Sequence, residues 1–110
     1  VAREGLGEFE QMVLLAILHL GSDVYGVPIV DEIERRTGRS VARAAVYVTL
    51  RRLEQKRLVS SWLGEPTEER GGKARRYVIV TPGGLQALRE SRDALDGMWR
   101  GLHPKLRGTR

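Results

Sequence analysis

Arg43, Tyr47, Arg51 and Arg52, followed by Lys73, Arg75 and Arg76, have the types and spacing that suit contact with a nucleic-acid duplex. Arginine presents a planar fork of N–H donors that fits a phosphate or the edge of guanine, and lysine supplies a point charge. The first group falls within a segment of helical periodicity. Ala44 and Val48 share its outer side, and such small side chains let a helix approach base edges and meet a thymine methyl. Ala44 and Ala45 are also simply good helix formers. Lys73, Arg75 and Arg76 follow Gly71 and Gly72 on the descending side of a hairpin, where they can meet phosphates.

Other chemistries find no support. The chain has no cysteine, so disulfides and thiolate metal sites are excluded. His19 and His103 each lack a second histidine at helical spacing, and neither suggests a metal site. Gly71-Gly-Lys73 lacks the earlier glycine and the following Ser or Thr of a phosphate loop. No serine has a convincing His and Asp, and no carboxylate pair lies in a catalytic setting. The expectation is a protein that is not an enzyme and uses no cofactor or metal.

The charge distribution agrees with the duplex reading. Net charge is −4 over residues 1–38, +6 over 39–76 and +3 over 77–110, giving +5 for all 110 residues. The positive charge is thus concentrated in the proposed contact unit. A chain of this length without repeats forms one domain, with room for an appended helix. Its longest apolar run, Met12 to Leu20, is too short for a membrane span. With no signal-peptide pattern, a cytoplasmic protein without membrane contact is expected.

These residues need elements to position them. Phe9, Met12, Val13, Ala16, Ile17 and Leu20 predict a helix over 8–20, and Leu14, Leu15 and Leu18 suggest packing on several of its faces. A second helix is predicted over 27–37, with Ile29, Val30 and Ile33 inward and Asp31, Glu32, Glu34, Arg35 and Arg36 outward. A third covers about 42–57, with Val46, Leu50 and Leu53 facing the core. After Leu58 the period changes from helical to alternating, giving strands near 59–64 and 75–80. The loop between them, with Glu65, Glu68 and Glu69, reads as a mobile surface segment that weakens the ascending arm of the hairpin electrostatically. Thr81 and Pro82 open a fourth helix over 82–103 that Pro104 ends. Leu88, Leu95 and Leu102 recur every seven residues, as do Leu85, Arg92, Trp99 and Leu106, an a/d seam for pairing two helices. The fold class is therefore mainly α with a small antiparallel β-hairpin: a winged helix-turn-helix over 6–81, a C-terminal dimerisation helix over 82–103, and a basic tail over 104–110 expected to be disordered.

With the elements placed, the sequence resembles the PadR family of winged-helix transcriptional regulators. The resemblance rests on Val24-Tyr-Gly-Val-Pro-Ile-Val-Asp-Glu-Ile33, Val46-Tyr-Val-Thr-Leu-Arg-Arg-Leu-Glu54 and Gly71-Gly-Lys-Ala-Arg-Arg-Tyr-Val-Ile-Val-Thr-Pro-Gly-Gly84, in that order. It implies a homodimeric regulator, usually a repressor, on operator DNA, and makes Tyr47 a DNA-contact candidate. A half-buried tyrosine supporting the helix is the other reading of that position. Two features depart from the family. Ala42-Arg43-Ala44-Ala45 replaces a Ser-Pro-Gly-Thr-like opening of helix three, and Arg57 stands where glycine usually precedes the leucine at 58. The short C-terminus resembles members with one dimerisation helix, some of which bind flat apolar effectors between subunits. Met98 and Trp99 are the candidates for such a pocket, although an aromatic at a heptad position also suits interface packing.

The expected function is a sequence-specific, duplex-binding repressor acting as a homodimer through Leu88, Leu95, Trp99 and Leu102, on a pseudo-palindromic operator. Arg43, Ala44, Tyr47, Val48, Arg51 and Arg52 would meet the groove, and Lys73, Arg75 and Arg76 the backbone. Two alternatives stay open: a winged helix that docks an acidic protein, and a sensor whose chief role is ligand binding at the dimer interface.

Overall fold

A computed structural model describes residues 5–66, 71 and 73–102. The expected basic tail, His103, Leu106 and the hairpin residues Glu68, Glu69, Arg70 and Gly72 lie outside the described residues. The order is α1 (Glu8–Leu20), α2 (Gly26–Thr37), α3 (Arg43–Gln55), β1 (Val59–Leu63), β2 (Arg76–Val80) and α4 (Pro82–Trp99).

The core forms where the inward faces of the first three helices meet the sheet. Val13, Leu14, Ile17, Val24, Ile29, Ile33, Val46, Leu53, Val59, Val78 and Leu88 make one buried cluster. Leu14 joins this cluster, but Leu15 and Leu18 remain half exposed, so α1 is not buried all round. The outward expectation also fails at Glu32. Its residue is buried, and its carboxylate accepts from Arg35 Nη2 at 2.9 Å and from Arg36 Nε. Those arginines lie one turn further along α2 and fold back to neutralise it.

β1 and β2 pair antiparallel, with Val59 opposite Val80, Ser61 opposite Val78 and Leu63 opposite Arg76. Val59 and Val78 face the core, as period-2 alternation requires. Val24 adds an isolated bridge to Val78, and Val78 N–H donates to Val24 O at 2.9 Å. The chain entering α2 is thereby tied to the sheet that carries the wing.

α3 ends in a Schellman motif. Leu58 N–H donates to Leu53 O and Arg57 N–H to Glu54 O, both at 2.9 Å, with Arg57 at φ 63°. That left-handed turn aims the chain directly into β1. α4 opens as predicted: Thr81 Oγ1 accepts from Gly84 N–H at 3.1 Å, and Pro82 follows at the first helical position.

Its other end corrects the sequence reading. α4 stops at Trp99, short of the expected 103, and Gly101 turns at φ 88°. The chain leaves helical geometry at Arg100, whose ψ is 128°, and Gly101 follows with a positive φ that glycine adopts readily. Leu102 consequently lies in a turn, its N–H on Trp99 O at 3.0 Å, and is not a helical heptad position. Leu88 departs from the expected seam too. At 9% exposure it packs into the core of its own chain.

Candidate nucleic-acid interface

α3 rests on the core through Val46, Thr49 and Leu53, leaving the opposite half of its surface free of the core. Arg43, Ala44, Tyr47, Val48, Arg51 and Arg52 are all exposed there. At about 100° per residue they cover roughly half of the helix circumference. The structure thus brings the expected groove-facing residues onto one continuous surface.

Tyr47 is braced on one side and exposed on the other. Its ring lies against the backbone of Gly26 at the start of α2, where a Cβ would come within 2.4 Å of Cε1. Only glycine permits that approach. The residue nevertheless keeps 46% of its surface exposed. α2 therefore braces the tyrosine, and the ring still forms part of the outer face.

Two buried or half-buried anions hold α3 in place. Glu10 is 7% exposed; its Oε2 accepts from Lys56 Nζ and its Oε1 from Gly7 N–H, at 2.9 and 3.0 Å. Burial pushes this carboxyl upward, but the bonds from Lys56 and Gly7 and the charges of Lys56 and Arg52 outweigh it and set it below the usual carboxylate range. The far end of α3 is thereby pinned to the first turn of α1. At the near end Glu34 Oε2 accepts from Val41 N–H at 2.7 Å, shaping the turn between α2 and α3. No side chain caps α3, since Ala42 offers no hydroxyl.

The wing carries its cations differently. Arg76 is exposed, and its Nη1 donates to Ser61 Oγ at 3.0 Å across the sheet. Arg75 folds back, with its guanidinium carbon 4.2 Å from the centre of the Tyr25 ring. Tyr25 meets Tyr77 edge-on at 6.1 Å, and Tyr77 lies 6.0 Å from Trp62. The Arg75 Nε is buried without a hydrogen-bond partner among the described residues, and stacking on Tyr25 holds its guanidinium. Lys73 is exposed.

At the other end of the molecule, Leu95, Met98, Trp99 and Leu102 are exposed. Trp99 borders an open concavity with Asp96, Arg100 and Gly101, and Met98 stands outside it. Of the two expected effector residues, Trp99 alone lines this concavity. Among the described residues no cluster of three metal-binding side chains occurs, and no helix is long and apolar enough to cross a membrane.

Residues 14–90 match the Transcriptional regulator PadR-like family. The chain belongs to this family. It is 39% identical over 98 residues to the transcriptional regulator Rv3488 of Mycobacterium tuberculosis, covering 84% of this chain and 85% of that one. A PadR family transcriptional regulator from Eggerthella lenta superposes with a TM-score of 0.68 at 28% identity, over 94% of this chain and 88% of that one. A PadR family transcription regulator from Clostridium difficile gives 0.70 at 21% identity, over 91% and 99%, a likeness of fold. The PadR chain described here is accordingly a DNA-binding transcriptional regulator with a winged-helix fold. PadR proteins are not an enzyme family.

Sequence reasoning missed Tyr25, Gly26, Glu10, Glu54 and Ser61 as supports of this surface. Tyr25 and Gly26 stand in the Val24-Tyr-Gly segment that carries the family resemblance, which is the signal that could have found them. Glu54 stands in the Val46–Glu54 segment as well, whereas Glu10 meets Lys56 46 positions away and Ser61 meets Arg76 15 away, separations that periodicity does not encode.

Proposed function

We propose that this PadR protein is a homodimeric repressor whose α3 enters the major groove while the wing follows the backbone. The observation that supports this best is the continuous outer face of α3, where Arg43, Ala44, Tyr47, Val48, Arg51 and Arg52 are exposed together. Arg51 and Arg52 supply forks for guanine edges or phosphates, and Ala44 and Val48 allow close approach. Lys73 and Arg76 meet phosphates from the wing. Arg75 adds charge there, but its stacked position makes it chiefly the anchor of the wing on Tyr25.

Dimerisation proceeds through the exposed end of α4. Leu95 and Trp99 supply apolar area there, with Leu102 in the turn beyond them. Leu88 supports the helix from within the core and is not part of the contact. A second copy brings a second α3, so the operator is pseudo-palindromic with half-sites about one helical turn, ~10 bp, apart. Release from DNA comes through a flat apolar ligand seated by Trp99 and Met98, a polarizable pair suited to it. Quenching of tryptophan fluorescence by such compounds, lost in Trp99→Phe, checks this part; quenching that persists in the variant locates the response elsewhere.

With about six phosphate contacts per dimer, log affinity should fall against log salt with a slope near −5. Fluorescence anisotropy with a labelled duplex at several salt concentrations measures it. An affinity indifferent to salt contradicts the proposal.

A further inference from the structure

Polar chemistry in the cleft between α3 and the wing goes beyond the duplex contacts proposed above. Tyr47, Arg51 and Glu54 recur along the edge of α3 that faces the sheet, and Ser61 reaches the same cleft from β1. The Ser61 hydroxyl donates to Glu54 Oε2 at 2.7 Å, and Arg76 Nη1 donates to Ser61 Oγ at 3.0 Å. A serine hydroxyl carries one proton. Given to the carboxylate, it leaves only lone pairs toward the guanidinium, so the order Arg76 to Ser61 to Glu54 is fixed. These side chains, together with Gly26, line one groove of about 270 Å³.

We propose that Ser61 and Glu54 are positioning residues that hold the Arg76 guanidinium at this groove, so that Arg76 from the wing and Arg51 from α3 grip a single backbone phosphate of the duplex. The inference rests on the reading that α3 and the wing straddle DNA. An unrestrained arginine surrenders rotamer freedom when it binds, whereas one already hydrogen-bonded has surrendered part of it beforehand. One N–H of the guanidinium is used by Ser61, and the remaining donors of the fork stay available. The arrangement also accounts for an acid on a cationic face. Glu54 ends the chain of hydrogen bonds and its charge is offset by Arg76 through Ser61.

The test uses the full chain and a labelled random-sequence duplex at low salt, because a phosphate contact acts regardless of base sequence. Ser61→Ala is expected to weaken binding about fivefold, the factor one hydrogen bond typically carries, without lowering the thermal midpoint correspondingly. Ser61→Thr, which keeps the hydroxyl, restores the affinity. In an Arg76→Ala background, Ser61→Ala has no further effect, since the residue it positions is gone. An equal loss with and without Arg76, or no loss in the single variant, overturns the inference. Wild-type protein that binds no duplex sinks the duplex reading along with it, whereas wild-type binding without the Ser61–Arg76 coupling sinks this inference alone.

Discussion

Arg57 occupies a backbone conformation that suits glycine better than any side chain. Its φ of 63° closes the Schellman motif after α3, and a Cβ at such an angle crowds the following carbonyl. The side chain is exposed and its backbone oxygen accepts from Thr81 Oγ1 at 2.8 Å, a bond that glycine would keep. Arg57→Gly should therefore stabilise the fold by about 1 kcal/mol. A rise of several degrees in Tm by calorimetry would show it; an unchanged or lower Tm would mean the arginine side chain contributes an offsetting contact. Glu10 makes the opposite case. Removing its charge with Glu10→Gln leaves Lys56 facing a neutral amide, and because the Lys56 side chain is 38% exposed the cost should be small, about 1 kcal/mol.

The same residue sets an acid limit. Folding holds Glu10 below its ordinary value of 4.5. Hydrogen bonds from Arg36 and Arg35 lower Glu32 likewise, and one from Arg39 lowers Glu8. A carboxyl depressed in the folded state contributes stability that is present above its unfolded value and lost as pH falls through the native one. Tm should thus be flat from neutral pH to about 5 and decline below the unfolded carboxylate range. Glu10→Gln should decline less steeply than the parent. Equal slopes for the two would show that Glu10 does not contribute to acid sensitivity.

At the scale of elements, α3 and α4 depend on different physics. α3 was legible in the sequence because Val46, Leu50 and Leu53 repeat at helical spacing, and its outer half follows from that stripe alone. The hairpin was legible for the same reason at period 2, through Tyr77, Val78, Ile79 and Val80. α4 was read too long, since a heptad count of leucines carries no information about Gly101 adopting φ 88°. The count also assigned Leu88 to a partner chain, although the core of its own chain claims it. The first error lies in local backbone geometry at Arg100 and Gly101, and the second arises where tertiary packing overrides a local repeat. Glu10 and Lys56 are 46 positions apart, and no local pattern joins them. Placing a charge at Leu95, the exposed apolar side chain on the last full turns of α4, tests the remaining seam. Leu95→Glu should yield monomers by light scattering with Tm nearly unchanged, since surface substitutions typically alter stability by less than about 0.5 kcal/mol. A dimer that persists would place the contact elsewhere.

For the whole molecule, the charge divided along the sequence is partly rejoined by the fold, since Arg39 pairs with Glu8 and Lys56 with Glu10. The stretch from 39 to 76, with its net charge of +6, includes α3 and β1, and the acidic N-terminal third includes α1 and α2. A basic stretch of this kind is expected to make association with a duplex sensitive to salt. On the proposed reading, base preference would come from Arg43, Ala44, Tyr47, Val48, Arg51 and Arg52, exposed together on α3, and the Ala42-Arg43-Ala44-Ala45 start is unlike the usual opening of the family's helix. The most direct measurement is selection of bound duplexes from a random pool by the full chain. Enrichment of a pseudo-palindrome with half-sites about ten base pairs apart, one for each α3 of a dimer, is the expected result. A pool that remains random, or a single asymmetric half-site bound by one chain, would contradict it.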